Sequence, residues 1–150
     1  MIDIKQMSRS EMEDVLGRVR YGHLGCSRHD HPYVVPIHFA VHDHDIVIYT
    51  TEGKKTEMID ANPEVCLQVE EVADEENWYS VLVFGQAEKL TDDREREKAF
   101  EAILSINPAL TPARSIRWVD KWVREKRDID VIYRIKPTTM TGRRTASAGD

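Results

Sequence analysis

The sequence predicts a mainly β domain with flanking helices, built around a six-stranded antiparallel barrel. Three observations support this fold class. Six segments are rich in β-branched and aromatic residues, short polar turns join most of them, and amphipathic helical segments lie at the start and in the last third of the chain. Because short connections favour antiparallel neighbours, a barrel is the simplest way to pair these strands. With 150 residues, we expect a single domain over 1–150.

The first elements are a short helix and three strands. Ser8 and Ser10 each stand three residues before a glutamate, which is a capping-box pattern, and the apolar spacing after them predicts a helix that ends at Gly17. Polar turns rich in histidine and aspartate separate the strands that follow. These strands are predicted over 19–27, 33–41 and 46–50.

The strand over 33–41 is apolar on both of its faces. A strand covered on both sides suits a closed barrel that carries a helix, a partner subunit or a flat ligand on its outside. One face comprises Tyr33, Val35, Ile37, Phe39 and Val41, and the other comprises Val34, Pro36, His38 and Ala40.

The remaining elements complete the barrel and cover it. A two-turn helix is predicted to end at Asn62-Pro63, and Gly85 interrupts a later strand as a bulge or close-approach point. We expect the barrel core over about 14–92 and a polar tail that is mobile after about 144. The other predicted elements are strands over 65–71 and 78–90, two helices over about 92–127 with the second beginning at Thr111, and a final strand over about 130–136.

Composition and charge exclude several classes of function. A net charge of −6 argues against general nucleic-acid binding. The chain has neither an apolar stretch long enough to span a membrane nor the apolar centre of a signal peptide, so we expect a cytoplasmic protein without membrane partners.

The cysteines and the paired histidines do not form a recognisable site. Cys26 and Cys66 are expected to be buried small hydrophobic residues. The two His-x-His pairs lie in predicted turns, and no metal site is predicted.

The segment 49–55 combines the features of a phosphate-binding loop. It leaves a strand, turns at Gly53 and enters a helix, whose first N–H groups point towards an anion placed there. Hydroxyl donors and ammonium groups would complete the site. In the alternative interpretation, Thr51 only caps the helix and both lysines are solvated. The candidate donors and cations are Thr50, Thr51, Lys54 and Lys55.

Five segments taken together resemble a known family. They are GHLGC (22–26), PYVVPIHF (32–39), IYTTEGKK (48–55), NPEVCL (62–67) and SVLVFGQA (80–87). In this order and spacing they resemble the pyridoxamine 5′-phosphate oxidase-related, FMN-binding split-barrel family, and most closely its nitroimidazole-resistance-like branch. The resemblance covers about 14–92 closely and the segment 135–143 more loosely, and it implies that the barrel is a split barrel.

The resemblance implies a homodimer that binds FMN in the groove between its subunits. The phosphate would lie on the loop before the short helix, and the backbone of strand 34–37 would contact the isoalloxazine ring, which suits an apolar strand face. Trp78 would either stack beside the ring or anchor the dimer core. The implied cofactor-binding residues are Val34, Val35, Pro36, Ile37, Tyr49, Thr50, Thr51, Gly53, Lys54, Lys55 and Trp78.

The function implied by the resemblance is that of an FMN-dependent oxidoreductase, which passes electrons from a reduced nicotinamide or similar donor to a small acceptor. His38 is the candidate catalytic residue, and its alternative role is a structural histidine bonded to a backbone carbonyl. Ile48-Tyr49 stands where nitroimidazole-reducing relatives carry a histidine, which argues against that substrate. The Arg/His set that binds substrate phosphate in true pyridoxamine oxidases was not found near the C-terminus.

Two other functions are compatible with the same barrel. One is a non-catalytic flavin- or haem-binding module. The other is a reductase that uses the deazaflavin F420, whose longer acidic tail would require more basic residues than Lys54 and Lys55 provide. Arg143 and Arg144 could reach a cofactor or substrate, but we favour a solvated tail for them.

Overall fold

A computed structural model describes residues 1–105 and 130–149. The predicted second C-terminal helix, beginning at Thr111, lies outside these residues. The strands are Ile4–Gln6 (β1), Tyr21–Arg28 (β2), His31–His42 (β3), Asp45–Thr51 (β4), Glu64–Asp74 (β5), Asn77–Lys89 (β6) and Asp130–Thr145 (β7). The helices are Arg9–Val19 (α1), Lys54–Ala61 (α2) and Asp93–Leu104 (α3), and Ala146–Gly149 forms a short 3₁₀ helix.

All these strands belong to one antiparallel sheet, in the order β1-β7-β4-β3-β2-β5-β6. A further pairing of β6 with β7 closes six strands into a barrel, and β1 adds to β7 outside this ring. The predicted fold class is confirmed, but within the described residues the sheet has seven strands instead of six. β1 was missed because its three residues are too few to show an alternating pattern.

Helix α1 begins with the predicted capping box. The Ser8 hydroxyl accepts the N–H of Glu11 at 3.1 Å, and the Glu11 carboxylate accepts the N–H of Ser8 at 3.1 Å. The helix continues past its predicted end at Gly17 to Val19, where the left-handed backbone of Arg20 (φ 58°) ends it. Its buried stripe packs into the barrel core through Met12, Val15 and Leu16.

Both predicted polar turns are two-residue hairpin connections. His29 and Asp30 (φ 51° and 62°) join β2 to β3, and Asp43 and His44 (φ 49° and 66°) join β3 to β4. Left-handed backbone at both central positions is what a type I′ hairpin requires, and Asp and His adopt it more readily than most side chains. The two His-x-His pairs therefore lie at the ends of hairpins.

The last strand is much longer than predicted. β7 ends at Thr145 instead of about 136, and residues 146–149 form the 3₁₀ helix, so the segment predicted as a mobile tail carries regular structure. The second half of β7 pairs with β6 on one side and with β1 on the other. Its alternating pattern was not recognised because its inward positions are Met140, Gly142 and Arg144 instead of β-branched residues.

Arg144 connects this end of the chain to α1. Its side chain is 13% exposed and forms an ion pair with Glu11 at 2.6 Å. The bond from the backbone N–H of Ser8, reinforced by Arg144, holds the pKa of the Glu11 carboxyl below its usual value. The Tyr79 hydroxyl donates to the Ala148 carbonyl. The expectation of a solvated tail is therefore wrong for Arg144, whereas Arg143 is exposed.

Two apolar clusters hold the barrel and its cover together. The inner cluster fills the barrel, and the outer cluster packs α3 against β3, β4 and β7. The outer cluster comprises Ala40, Val47, Leu90, Ala99, Phe100 and Ile132.

Gly85 lies where β6 and β7 approach each other closely. A Cβ at Gly85 would collide with the Lys136 carbonyl, and the β6–β7 register shifts there, which confirms the predicted close approach. Within the described ranges, no helix is long and apolar enough to cross a membrane.

Candidate functional site

The barrel is split between β3 and β4. β3 pairs with β2 along His31–His38, but it pairs with β4 only over Phe39–His42. The rest of β4 is held by β7, where Thr50 lies opposite Val131. Among the strands that the structure describes, none pairs with the other edge of the first half of β3. A free backbone edge therefore faces the gap between the two strands.

Alternation along β3 determines which backbone groups this edge offers. The Phe39 N–H donates to the Arg20 carbonyl at 3.2 Å, so Phe39 directs its backbone groups towards β2. Successive residues of a strand direct these groups to opposite edges, so Val34 and Pro36 direct theirs into the gap. Proline has no N–H. Over 34–37 the edge therefore offers two carbonyl acceptors and one amide donor, which belongs to Val34.

The loop after β4 leads into the start of α2. Thr50 is 8% exposed at the end of the strand. The N-cap of α2 is Gly53, so the alternative interpretation with Thr51 as the cap is wrong. The Gly53 N–H donates to the Thr56 hydroxyl at 2.9 Å. The N–H groups of the next two residues have no acceptor within the helix, because the first turn of an α-helix leaves its donors unpaired.

Two ammonium groups lie at this helix start. Lys54 Nζ is 5.0 Å from the centroid of the Tyr33 ring, which brings the loop next to the free edge of β3. Lys55 is half-buried, and burial lowers the pKa of its amine, opposed by the nearby Cys26 thiol. In the part of the chain that the structure describes, neither ammonium forms an ion pair. Both are therefore available to an anion.

The loop carboxylate is held away from these lysines. The buried Thr56 hydroxyl shares its proton between the Gly53 carbonyl at 2.8 Å and the Glu52 carboxylate at 3.1 Å. Glu52 also lies 4.0 Å from Lys89 Nζ. Lys89 also donates to Asp60 at 2.9 Å, and the buried Tyr133 hydroxyl donates to the other Asp60 oxygen at 2.9 Å. We call Glu52, Thr56, Asp60, Lys89 and Tyr133 the anchoring network. Sequence reasoning missed Asp60, Lys89 and Tyr133, because they come from three separate elements and carry no local motif.

The outward surface of β3, β2, β5 and β6, here called the outer face, carries exposed apolar side chains. Cross-strand register aligns Val34, Gly25, Cys66 and Phe84 in one row. Val34 is 62% exposed and Phe84 is 42% exposed. Cys26 is buried as predicted, but Cys66 is only half-buried because it lies on this face. On the predicted outer apolar face of β3, Ala40 therefore packs against α3, whereas Val34 is exposed.

Trp78 lies on the outer face but far from the phosphate loop of its own chain. It is opposite Val72, which is 60% exposed, and its backbone N–H donates to the Thr145 hydroxyl at 3.2 Å. Thr145 and the partner of Thr50 in β7 are at opposite ends of that 16-residue strand. A straight strand of this length spans roughly 50 Å. Within one chain, Trp78 is therefore remote from the loop.

The structure places His38 and Tyr49 outside the loop. The His38 ring packs on Tyr21, with 5.2 Å between centroids, beside a cavity of about 240 Å³. Its Nδ1 is buried and has no hydrogen-bond partner among the described residues, so the expected bond to a backbone carbonyl is not seen there. The Tyr49 ring packs on Phe100 of α3, at 5.3 Å between centroids. The cavity is lined by Tyr21, Gly22, His23, Gln68, Glu70 and Val72.

Solved structures share this architecture. A FAD-binding protein from Mesorhizobium loti superposes with a TM-score of 0.75 at 28% identity, covering 97% of this chain and 99% of that one. A suspected 5-nitroimidazole antibiotic resistance protein from Bacteroides thetaiotaomicron superposes with a TM-score of 0.71 at 18% identity, covering 97% of this chain and 89% of that one. At the latter identity the likeness concerns the fold alone.

Sequence comparison agrees with the structural likeness. An uncharacterized protein of Rhizobium meliloti (strain 1021) is 34% identical over 87 residues, which are 58% of this chain and 58% of that protein. The match thus spans little more than half of that relative. The family model described as pyridoxamine 5′-phosphate oxidase matches residues 8–144, nearly the whole chain. As the five sequence segments predicted, this protein belongs to the pyridoxamine 5′-phosphate oxidase family.

Proposed function

We propose that this protein binds FMN at the split between β3 and β4 and acts as an oxidoreductase. The observation that carries the proposal is the contact between Lys54 and Tyr33, which brings two unpaired ammonium groups next to a free strand edge. FMN requires the ammonium groups and the free strand edge to be close enough for one cofactor molecule to contact both. Its phosphate needs cations and N–H donors, and its ring needs a few directed hydrogen bonds on an apolar surface.

The residues present fit this cofactor. Lys54, Lys55 and the donors at the start of α2 would hold the phosphate. Val34 and Pro36 would contact the ring through their backbone groups, since flavin edges alternate between acceptors and an N–H donor. The apolar side chains beside them would exclude water from one ring face. When bound, the flavin supplies the electron transfer, and the chain contributes binding, orientation and electrostatics.

The two kinds of flavin differ in what lies beyond the phosphate. One similar structure is that of a protein described as FAD-binding, and FAD contains the FMN unit joined to a second phosphate and adenosine. FMN carries two negative charges on one terminal phosphate, whereas FAD spreads two charges over two linked phosphates. Two ammonium groups and N–H donors at one helix start suit the concentrated charge of a single terminal phosphate. This match supports FMN as the preferred ligand.

We further propose that the protein is a homodimer in which the outer faces meet. Exposed Val34, Val72 and Phe84 form an apolar surface of the kind that marks protein interfaces. Because Trp78 is remote from the loop of its own chain, it could approach a flavin only from the second subunit. Phe84→Glu should convert the dimer to monomer in sedimentation, whereas Ile2→Glu, at an exposed apolar site elsewhere, should leave it dimeric. A monomeric wild type would contradict this part of the proposal.

A titration with FMN, followed by flavin fluorescence and absorbance, tests the binding site. The Lys54→Ala, Lys55→Ala double variant should bind FMN roughly 30-fold more weakly than the wild type. The control, Lys98→Ala with Lys136→Ala, removes the same charge from exposed positions elsewhere and should bind normally. Riboflavin, which has no phosphate, should distinguish the two double variants much less. Folded wild type that binds no FMN would overturn the proposal, and FAD, haem and F420 would then be compared.

The oxidoreductase assignment has its own test. Under anaerobic conditions, a reduced nicotinamide should bleach the visible absorbance of the bound flavin, and a small acceptor should restore it. A bound flavin that dithionite reduces but no nicotinamide does would support the non-catalytic module instead. If a nicotinamide does reduce the flavin, the reduction rate of His38→Gln compared with wild type shows whether the imidazole takes part.

A further inference from the structure

Glu52 presents an electrostatic difficulty for any phosphate bound by this loop. It lies between Thr51 and Gly53, two residues before the first lysine. A free carboxylate at this position would repel a phosphate dianion and could pair with Lys54 or Lys55. An uncompensated acid would therefore weaken the site in two ways.

The anchoring network removes this carboxylate from the lysines. Glu52 lies 4.0 Å from the Lys89 ammonium, and the Thr56 hydroxyl is 3.1 Å from its Oε2 atom. Thr56 is fully buried, and its hydroxyl accepts the Gly53 N–H and lies 2.8 Å from the Gly53 carbonyl. The same side chain therefore fixes the turn and contacts the carboxylate beside it. Glu52 itself is exposed, and without these partners nothing in the described structure would fix its direction.

Lys89 is in turn attached to the barrel wall. It ends β6 opposite Tyr133 of β7, and its ammonium donates to Asp60 Oδ2 at 2.9 Å. The Tyr133 hydroxyl, on a side chain that is 1% exposed, donates to Asp60 Oδ1 at 2.9 Å. Burial and the Asp60 contact raise the pKa of Tyr133, so this hydroxyl stays a donor throughout the working range of pH. The Lys89 ammonium is thus fixed on Asp60, which a buried hydroxyl supports, and in this position it lies 4.0 Å from the Glu52 carboxylate.

We propose that Lys89 is a positioning residue for the phosphate loop, which attracts and holds Glu52 so that Lys54 and Lys55 stay free for the anion. This inference rests on the proposed phosphate site. Lys89 does not contact the phosphate. It acts indirectly, by contacting the Glu52 carboxylate, which would otherwise compete with the phosphate for Lys54 and Lys55.

A double-mutant cycle with FMN as the probe tests the inference. Lys89→Met keeps the aliphatic stem and removes the charge, and it should weaken FMN binding roughly fivefold to tenfold. Glu52→Gln should change binding less than about twofold when Lys89 is present, because Lys89 already holds the carboxylate away from the other two lysines. In the Lys89→Met background, Glu52→Gln should restore most of the lost affinity. Lys98→Met is the matched control and should change nothing.

Two readouts separate positioning from other effects. Riboflavin affinity should be equal in all four proteins of the cycle, whereas general damage to the fold would lower it together with FMN affinity. If Lys89 acted only through its long-range charge, Glu52→Gln would have the same effect in both backgrounds, and the inference would be wrong.

The cycle also remains informative if Lys89→Met fails to fold. A large gain in FMN affinity from Glu52→Gln alone would mean that Lys89 does not keep the carboxylate from competing with the phosphate, which contradicts the inference. Failure of the wild type to bind FMN would instead contradict the proposed function. Normal FMN binding that depends on Lys54 and Lys55, but not on Lys89, would overturn only the positioning role.

Discussion

The ammonium of Lys54 lies 5.0 Å from the centroid of the Tyr33 ring, and this contact joins the two halves of the candidate site. Tyr33 belongs to the strand whose free edge faces the gap, and Lys54 begins the helix after the loop. An aromatic ring attracts a cation without neutralising it, because the ring has no net charge. Lys54 is therefore restricted in position while its charge remains available to an anion.

The Lys54–Tyr33 contact should contribute measurably to anion affinity. Tyr33→Leu removes the ring and is expected to weaken FMN binding about threefold, in keeping with roughly 0.5–1 kcal/mol for an exposed cation–π pair. Tyr33→Phe keeps the ring and should bind FMN as the wild type does. Isothermal titration at low ionic strength measures both. Equal losses in the two variants would mean that the hydroxyl, not the ring, matters.

The local parts of the site could be predicted from the sequence, and the long-range parts could not. The loop from Thr50 to Lys55 has a strand, a turn glycine and a helix start in consecutive residues, so its pattern is readable. The Ser8 capping box is readable for the same reason. Lys89 and Tyr133 reach the loop only because the strand order brings β6 and β7 next to each other, and the sequence does not encode that pairing locally.

The amine of Lys55 should make phosphate affinity sensitive to alkaline pH. Burial lowers the pKa of this amine, so its charge is lost at a lower pH than that of an ordinary lysine. Because only the ammonium form attracts phosphate, FMN affinity should be highest near neutral pH and should fall as the pH rises through this lowered pKa. Lys55→Arg stays charged and should not show this loss.

The measurement is the ratio of FMN dissociation constants for wild type and Lys55→Arg, from about pH 7 to about pH 10. Taking the ratio cancels any titration of the flavin itself. A constant ratio across this range would show that the Lys55 charge does not contribute to binding.

Gly85 and Gly17 should respond to alanine in opposite directions. A Cβ at Gly85 would collide with the Lys136 carbonyl and lie 3.0 Å from Ile135 Cγ2, so Gly85→Ala should destabilise the fold by roughly 2 kcal/mol. Gly17 lies within α1 with nothing within 4 Å of its added Cβ, so Gly17→Ala should stabilise it by about 0.5–1 kcal/mol. Urea denaturation of both variants gives the two signs, and a neutral Gly85→Ala would contradict the close approach.

The C-terminal residues after Arg143 should contribute to stability, contrary to what their polar sequence suggests. Thr145 is 1% exposed and accepts the Trp78 N–H, and Arg144 pairs with Glu11 at the start of α1. Deleting residues 144–150 removes these contacts and the last pairings of β7 with β1 and β6. We expect a loss of roughly 2 kcal/mol, which lowers Tm by about 5 °C in a domain of this size.

Arg143→Ala is the matched control for this deletion, because Arg143 is exposed and its removal leaves the strand intact. Its Tm should stay within about 1 °C of the wild type, since surface substitutions rarely change stability by more than about 0.5 kcal/mol. The deletion removes Thr145, which accepts the backbone N–H of Trp78, and it leaves Ser80 opposite the new last residue, Arg143. It should therefore increase exchange of the backbone amides at Trp78 and Ser80. A deletion variant with unchanged Tm and unchanged exchange would mean that these residues behave in solution as the solvated tail that the sequence suggests.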